Sequence, residues 1–573
     1  METKKKVRKG FQDVRMRCGS VARETIMRNI RYLSLVAIYL LSCATDHGQR
    51  KDATSRPTAS SPVAVVKAGD KAGDKKVKPL PWVKWSGQEG DRWQTFNKLK
   101  SEQKYEKASK ELEKILAQAK GAKDSEDWVR ALTRYVKLRT ALHGYEKAVR
   151  FLKEEPWPGD VLATTALDLY YAHALVTYAQ RYSWEIRKRE KVDSKGKVDL
   201  KAWTSAEIYA EAQRAYQNVW VHRQQLADHP ISHLSDFLEQ NDYPKHIRPT
   251  LRDAVSYLRV ELLANTATWG PKQSNEKYQI DLPRLLGQKK PLLGKAQKLE
   301  DPELHPLVKI ATTLLDLEAW HEEKGRQESA FEARLTLVKL LHRNFTNEDD
   351  RRLLLADLER RLPAMRKFKW WSVGMALRAH FVQTEKTWDN QLRARKIAIA
   401  GHAAYPQSVG GKRCLNIFKR IEVPQYDIQA MAADGPQRRS LAINYKNLDR
   451  IYFRAFRVDL KKHFQSGNDY NFFPRHNKLS AILRSSKPAH SWNTKLEKTI
   501  DYKKHRAFVV PPMKKPGYYA VMASARKDFS KDDNVIRGAH MVIGDLVMIK
   551  RSVGDEVEVE MVSGSTGKLL AGV

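Results

Sequence analysis

The apolar residues of this 573-residue chain change their period once along its length, and that change limits the possible folds more than any other feature. From Trp82 to about Ala404 they recur every three or four positions, which collects them on one face of a helix. Tyr105, Ala108, Leu112, Ile115, Leu116 and Ala119 make one such stripe. Others lie within 128–142, 161–182, 205–226, 248–263, 306–321, 329–342 and 351–362, with Pro and Gly between them, as at Pro156, Pro158 and Gly159. After Pro406 the period becomes two. Leu441, Ile443 and Tyr445 alternate, Ile451–Val458 is aromatic and β-branched, and 517–523 and 541–549 have the same character. Val557, Val559 and Met561 are expected to face inward, with Glu558 and Glu560 facing water.

The fold class that follows is α+β and multidomain. Residues 81–405 are expected to form paired helices in an α-solenoid that resembles tetratricopeptide arrays, although no strict 34-residue period is present. A β-sandwich is expected over 406–540, and 541–573 reads as the start of a second one that stops in mid-domain.

The N-terminus reads as an address. Arg28 and Arg31 precede a nine-residue apolar core, Leu33–Leu41, of the length found in secretory signals. Its end, Leu40-Leu41-Ser42-Cys43, resembles a bacterial lipobox, which implies lipidation of Cys43 and a signal peptide over 27–43. A signal should open a chain, so residues 1–26, with the basic run Lys4–Lys9, read as an over-extended start. Residues 44–80 are rich in Ser, Thr, Pro, Ala, Gly and Lys, cannot bury a core, and read as a disordered tether. A membrane anchor through lipid on Cys43 is therefore expected, in the cell envelope and facing the periplasm. Ala44, in place of Asp, resembles an outer-membrane address.

The formal charge is +37, from 104 Lys and Arg against 67 Asp and Glu. One stretch is dense: 441–520 holds 17 basic and 5 acidic residues, including Lys461, Lys462, Lys503, Lys504, Lys514 and Lys515. No helix-turn-helix, zinc finger or aromatic-basic RNA motif accompanies it, so no specific nucleic-acid partner is expected. Three cysteines exclude a disulfide scaffold.

Candidate chemistry is sparse. Gly564-Ser-Thr-Gly-Lys568 and Gly410-Gly-Lys-Arg413 both miss phosphate-loop spacing, and a hairpin turn is the expectation for the first. His229 and His233 have helical metal-ligand spacing, but Pro230 interrupts the helix that would align them. His321-Glu-Glu lacks the second His of a metalloprotease helix, and no Gly-x-Ser-x-Gly elbow exists. Cys414 sits in an apolar, helical-looking turn and reads as a core cysteine. No catalytic, cofactor-binding or metal site is expected, and no enzyme activity.

A resemblance is carried by Tyr405–Ile421 leading into Pro424, by Leu441–Arg454 with Tyr445, Asn447 and Tyr452, by Gly517-Tyr-Tyr, and by Val542–Leu546 continuing to Gly572. These segments resemble the first macroglobulin-like domains of the bacterial alpha-2-macroglobulin family. Tyr182-Ser-Trp184-Glu-Ile-Arg187 and Tyr243–Asp253 are similar to the helical region of its large envelope forms. The resemblance covers most of 82–573 and rests on packing and turn residues. It implies an endopeptidase inhibitor that traps proteases after cleavage of a bait segment, in many members with a Cys-x-Glu-Gln thioester. Target proteases, and a peptidoglycan synthase encoded beside related proteins, are the implied partners. The chain has no thioester: its Glu-Gln pairs are Glu102-Gln103, with Lys100 two places upstream, and Glu239-Gln240, with Phe237 there. On this reading the chain is an N-terminal fragment. The alternative reading is an envelope scaffold that binds a cell-wall enzyme through the helical array without inhibition.

Overall fold

The computed structural model describes residues 78–192, 199–238, 243–289, 292–293, 298–430, 439–459, 486–553 and 556–572. The signal over 27–43 with Cys43, the Lys4–Lys9 run, all but the last three residues of the 44–80 tether, and Lys461 and Lys462 lie outside them. The chain is mixed helix and antiparallel sheet, and divides into two compact units, Met1–Asp357 and Leu358–Val573.

The longer helices of the first unit are α1 (Arg92–Ser101), α2 (Tyr105–Ala122), α3 (Ser125–Ala141), α4 (Tyr145–Glu154), α5 (Val161–Arg181), α6 (Ser205–Val221), α7 (Leu251–Leu263), α8 (Pro306–Glu323) and α9 (Gln327–Asn344). Each packs against the next in sequence. Their starts are set by side chains that satisfy orphan N–H groups. Asp160 accepts from the Leu162 and Ala163 amides, and Thr204 with Glu207 and Thr250 with Asp253 form reciprocal capping boxes. A continuous apolar core runs from Trp93 and Phe96 on α1 to Val255 and Leu262 on α7.

An extended segment is clamped onto these helices. Leu80 donates its N–H to Gln225 Oε1 at 3.1 Å and accepts from Gln225 Nε2 at 2.9 Å. The Val161 amide donates to the Pro81 carbonyl, and the Gly87 amide to the buried Glu126 carboxylate at 2.9 Å. Among the described residues this clamp includes Leu80, the last residue assigned to the tether.

The helix Glu348–Met365 (α10) carries the division between the units. In the second unit come α11 (Trp371–Gln383), α12 (Asn390–Ala404) and α13 (Val409–Glu422), which pack on one another. The expected change of period at Pro406 is therefore corrected: helix continues to Glu422, and strand begins only after Pro424. The Ser408 hydroxyl caps α13 by accepting from the Gly411 amide at 2.9 Å. Gly410 and Gly411 permit the close crossing that follows. A Cβ on Gly410 would collide with the Val373 amide nitrogen and Ser372, and one on Gly411 with the Tyr405 carbonyl. A Cβ on Gly401 would lie 2.6 Å from Cys414 Sγ.

Two antiparallel sheets follow. One has strand order β1-β2-β5 (Gln425–Ala430, Leu441–Lys446, His505–Val509), the other β4-β3-β6-β7 (His490–Lys495, Arg450–Val458, Gly517–Ser524, Arg537–Ile543). Tyr426, Ile428, Ile443 and Tyr445 from the first share one core with Ile451, Phe453, Tyr519, Val521, Met541 and Ile543 from the second. β7 crosses the expected boundary at 540/541. The 541–549 run is two strands, broken at Gly544-Asp545. Among the described residues β8 (Leu546–Val553) pairs only with β9 (Glu556–Ser563), in a two-stranded sheet. Val557 and Val559 were expected to point inward. Each is 53% exposed, because the face they share with Met548 has no second layer among the described residues.

The junction of helix and sheet is closed by two adjacent residues. Lys446 Nζ donates to the carbonyls of Arg420 and Ile421, both at 2.9 Å. Asn447 Nδ2 donates to the carbonyls of Ile421 at 2.7 Å and Glu422 at 2.9 Å. These are the last carbonyls of α13, which have no helical partner of their own. Asn447 holds φ at 55°, a left-handed conformation that Asn adopts more readily than most residues.

Two outcomes follow. Asn447→Ala removes both donors and leaves a Cβ-bearing residue at positive φ, and should lower the stability of the second unit by about 2–3 kcal/mol in urea unfolding. Asn447→Gly, which keeps the backbone freedom, should cost less. Gly410→Ala forces a methyl into backbone atoms and should cost about 3 kcal/mol or more, read as a fall in thermal midpoint.

Candidate functional site

The residues singled out in the sequence do not come together. Cys43 and the Glu239-Gln240 pair lie outside the described residues. Gln103 sits in a turn at φ 58°, with Lys100 one residue before the end of α1. Cys414 is fully buried against the Ser372 carbonyl, and burial pushes its thiol up to about 12, so it is a protonated core group. His229 stacks under Trp82, centroids 3.5 Å apart, and His233 lies 5.7 Å from His229; the pair seats the extended segment. His321 is fully buried and bonds through Nε2 to Asp253 Oδ1 at 2.8 Å. The Gly564–Lys568 segment is a tight turn. The Gly567 amide donates to the Ser563 carbonyl, and Asp545 accepts from the Ser563 hydroxyl and the Ser565 amide, which holds its carboxyl below the ordinary range. Among the described residues no group of three or more His, Cys, Asp or Glu is arranged to hold a metal ion, and no helix is long and apolar enough to cross a membrane.

The most unusual chemistry is a charged seam where α6, α7 and α8 meet. On α6 the stripe is Gln213, Gln217 and Trp220, with Gln224 just beyond. On α7 it is Arg252, Ser256 and Arg259, and on α8 it is Lys309, Thr313, Asp316 and Trp320. These spacings of three and four put each set on one helix face. That face is buried: Arg252 is 1%, Arg259 3% and Lys309 4% exposed. Arg252 Nη2 donates to Asp316 Oδ2 at 2.7 Å, and Arg223 donates to the same carboxylate at 3.1 Å. The Arg223 and Arg259 guanidinium carbons lie 3.8 and 4.6 Å from the Trp220 ring centre, and that of Arg252 lies 4.5 Å from Trp320.

Arg259 and Lys309 differ from the other two cations. Arg259 donates to Thr313 Oγ1 at 2.8 Å and to Gln217 Oε1 at 2.6 Å, and Lys309 to Gln213 Oε1 at 3.4 Å. All three acceptors are neutral. Burial, then repulsion from Arg223, lowers the Arg259 guanidinium to about 9, and burial, then repulsion from Arg259, lowers the Lys309 ammonium to about 8.

A second buried cluster lies between α5 and α6. Burial raises the Asp168 carboxyl to about 7. For the nearby Glu211, burial also raises the value, but hydrogen bonds and charge from Arg214 and Lys153 outweigh it and hold the group at about 2. Glu211 accepts from Lys153 at 3.0 Å, Arg214 at 2.6 Å and the Tyr171 hydroxyl at 2.9 Å. The Glu211 oxygens are occupied by these donors, so the arrangement ties α4, α5 and α6 together.

Comparison with protein-family models, with curated proteins and with solved structures gives no match.

The Asp168 carboxyl generates a pH prediction. The folded chain holds its proton more tightly than the unfolded chain, where the ordinary value of 3.8 applies. Stability from this group is complete below about pH 4 and is lost as pH rises to about 7. Asp168→Asn, which preserves the hydrogen bond to Asn218, should therefore gain on the wild type by about 3 kcal/mol between pH 4 and pH 7.5 in urea unfolding.

Proposed function

We propose that the chain is the membrane-tethered N-terminal part of an endopeptidase inhibitor of the bacterial alpha-2-macroglobulin type, acting in the cell envelope. The observation that carries this reading is the order of the parts. A run of successively packed helices leads through a capped junction at Lys446-Asn447 into a domain of three and four antiparallel strands, then into a further hairpin. In this reading the helices are solenoid-like and the two facing sheets are the first macroglobulin-like domain. Of the residues that carry the resemblance in sequence, Asn447 forms part of that junction, Tyr445 lies next to last in β2 beside it, and Tyr452 lies on β3. Lipid on Cys43 anchors the chain, target proteases are its partners, and the trap itself needs a bait segment.

The test uses the full gene product with a broad-specificity endopeptidase. Limited cleavage should produce a compact complex in which the protease still hydrolyses small peptides but not a folded protein substrate. Unchanged activity on both would overturn the inhibitor reading. The anchor has its own measurement. Labelled palmitate should enter the wild type and not Cys43→Ala, because stable anchoring depends on acyl chains at that sulfur. Equal labelling of both would remove the envelope placement.

One observation favours the scaffold alternative. Trp184, just after α5, is 73% exposed, with Lys188 Nζ 3.4 Å from its ring centre. Large exposed aromatics of this kind anchor protein interfaces. If the helices bind a peptidoglycan synthase, a direct binding assay with that enzyme should lose about tenfold in affinity on Trp184→Ala, with no change in protease protection.

A further inference from the structure

The α6–α7–α8 seam is built like a receptor for negative charge. Two buried cations, Arg259 and Lys309, are satisfied only by neutral oxygens, and Arg259 lowers the tendency of Lys309 to stay charged. Placing like charges together in a dry interior is costly unless an opposite charge joins them. The carboxylates of Glu300, Asp301 and Glu303, in the turns before α8, favour the charged Lys309 but make no ion pair with it. Asp316 already serves Arg223 and Arg252.

A second observation points the same way. Three donors of this seam, Trp220 Nε1–H, Arg252 Nε–H and the Ser256 hydroxyl, are buried with no hydrogen-bond partner among the described residues. Two of the three groups can only donate. What they lack is an acceptor, and the charge balance says the acceptor is anionic.

The route in is also present. Gln213 and Gln217 are half-buried and Gln224 is exposed, so the α6 side of the seam reaches solvent through long, flexible side chains. The Gln213 and Gln217 carbonyl oxygens stand where two oxygens of a ligand would bridge Lys309 and Arg259.

We propose that the seam between α6, α7 and α8 binds a small oxyanion, a phosphate group or a dicarboxylate, which displaces the Gln213 and Gln217 amides and pairs with Lys309 and Arg259. Arg259 supplies the forked donor suited to two oxygens and Lys309 a mobile point charge. No covalent step is involved. The proposal stands independently of the inhibitor reading.

The experiment uses the full chain and follows thermal unfolding at pH 7 and constant ionic strength. Inorganic phosphate and succinate are titrated in separate arms, with sodium chloride as the reference. Phosphate, succinate or both should raise the midpoint saturably, by about 3 °C or more, and the arm with the lower half-saturation identifies the ligand class. Arg259→Met with Lys309→Met should abolish the shift. Because that variant could fold poorly, Gln217→Glu provides a second arm. A carboxylate carried by α6 itself should raise the midpoint without any added anion and erase the response to phosphate and succinate. The proposal is overturned if neither anion exceeds chloride, or if Gln217→Glu leaves the response intact.

Discussion

The C-terminus of α13 is the constraint on which the second unit depends. Every helix ends in carbonyls without amide partners, and here those of Arg420, Ile421 and Glu422 sit where helix gives way to sheet. Buried without donors they would cost about 1–3 kcal/mol each. Lys446 and Asn447 supply four hydrogen bonds from the end of β2, and the Lys446 charge complements the negative end of the helix dipole. The same short stretch sets the register of the sheet, because β2 pairs with both β1 and β5. The Asn447 backbone N–H in turn donates a hydrogen bond to Thr499 Oγ1 at 2.7 Å, which fixes the approach to β5. One dipeptide therefore ends a helix, begins a turn and orients a three-stranded sheet.

In the first unit the organising fact is that charge is buried along with apolar surface. Arg130 is held among Glu126, Asp127 and Asp236, and Arg334 pairs with Glu318, so these cations are balanced where they lie. The seam at Arg259 and Lys309 departs from that pattern. A helix interface filled by Arg, Lys, Gln and Trp is less stable than one filled by Leu and Ile, and its presence amid an otherwise apolar core gives reason to look for a ligand there.

The long helices are legible because their apolar stripes are regular: α2, α5 and α8 begin and end within a few residues of the stripes that announce them. β2, β3 and β6 are legible for the parallel reason of period two. β4 and β5 are not, since His490–Lys495 and His505–Val509 are mostly polar or exposed and their alternation follows cross-strand pairing instead of hydrophobicity. The run after Pro406 misleads because Gly410 and Gly411 look like loop residues, when they are small for the sake of a close helix crossing. The seam is illegible for a more general reason. Spacing shows that Arg252 and Arg259 share a face, but a charged face reads as solvated until a third helix is seen to cover it. Arginines recurring within an apolar stripe, as in Leu251–Leu263, are the signal that could have raised the question.

The clamp at Leu80 gives the first unit a defined mechanical anchor point. Among the described residues, tension arriving along the chain from its N-terminal side meets the paired bonds to Gln225, then the Trp82–His229 stack and the Glu126 contacts, before it can reach α1. The load passes into the turns after α6 and into α3, which lie in the middle of the packed helices, so a pull is spread across the body of the unit and α1 is shielded from being peeled away.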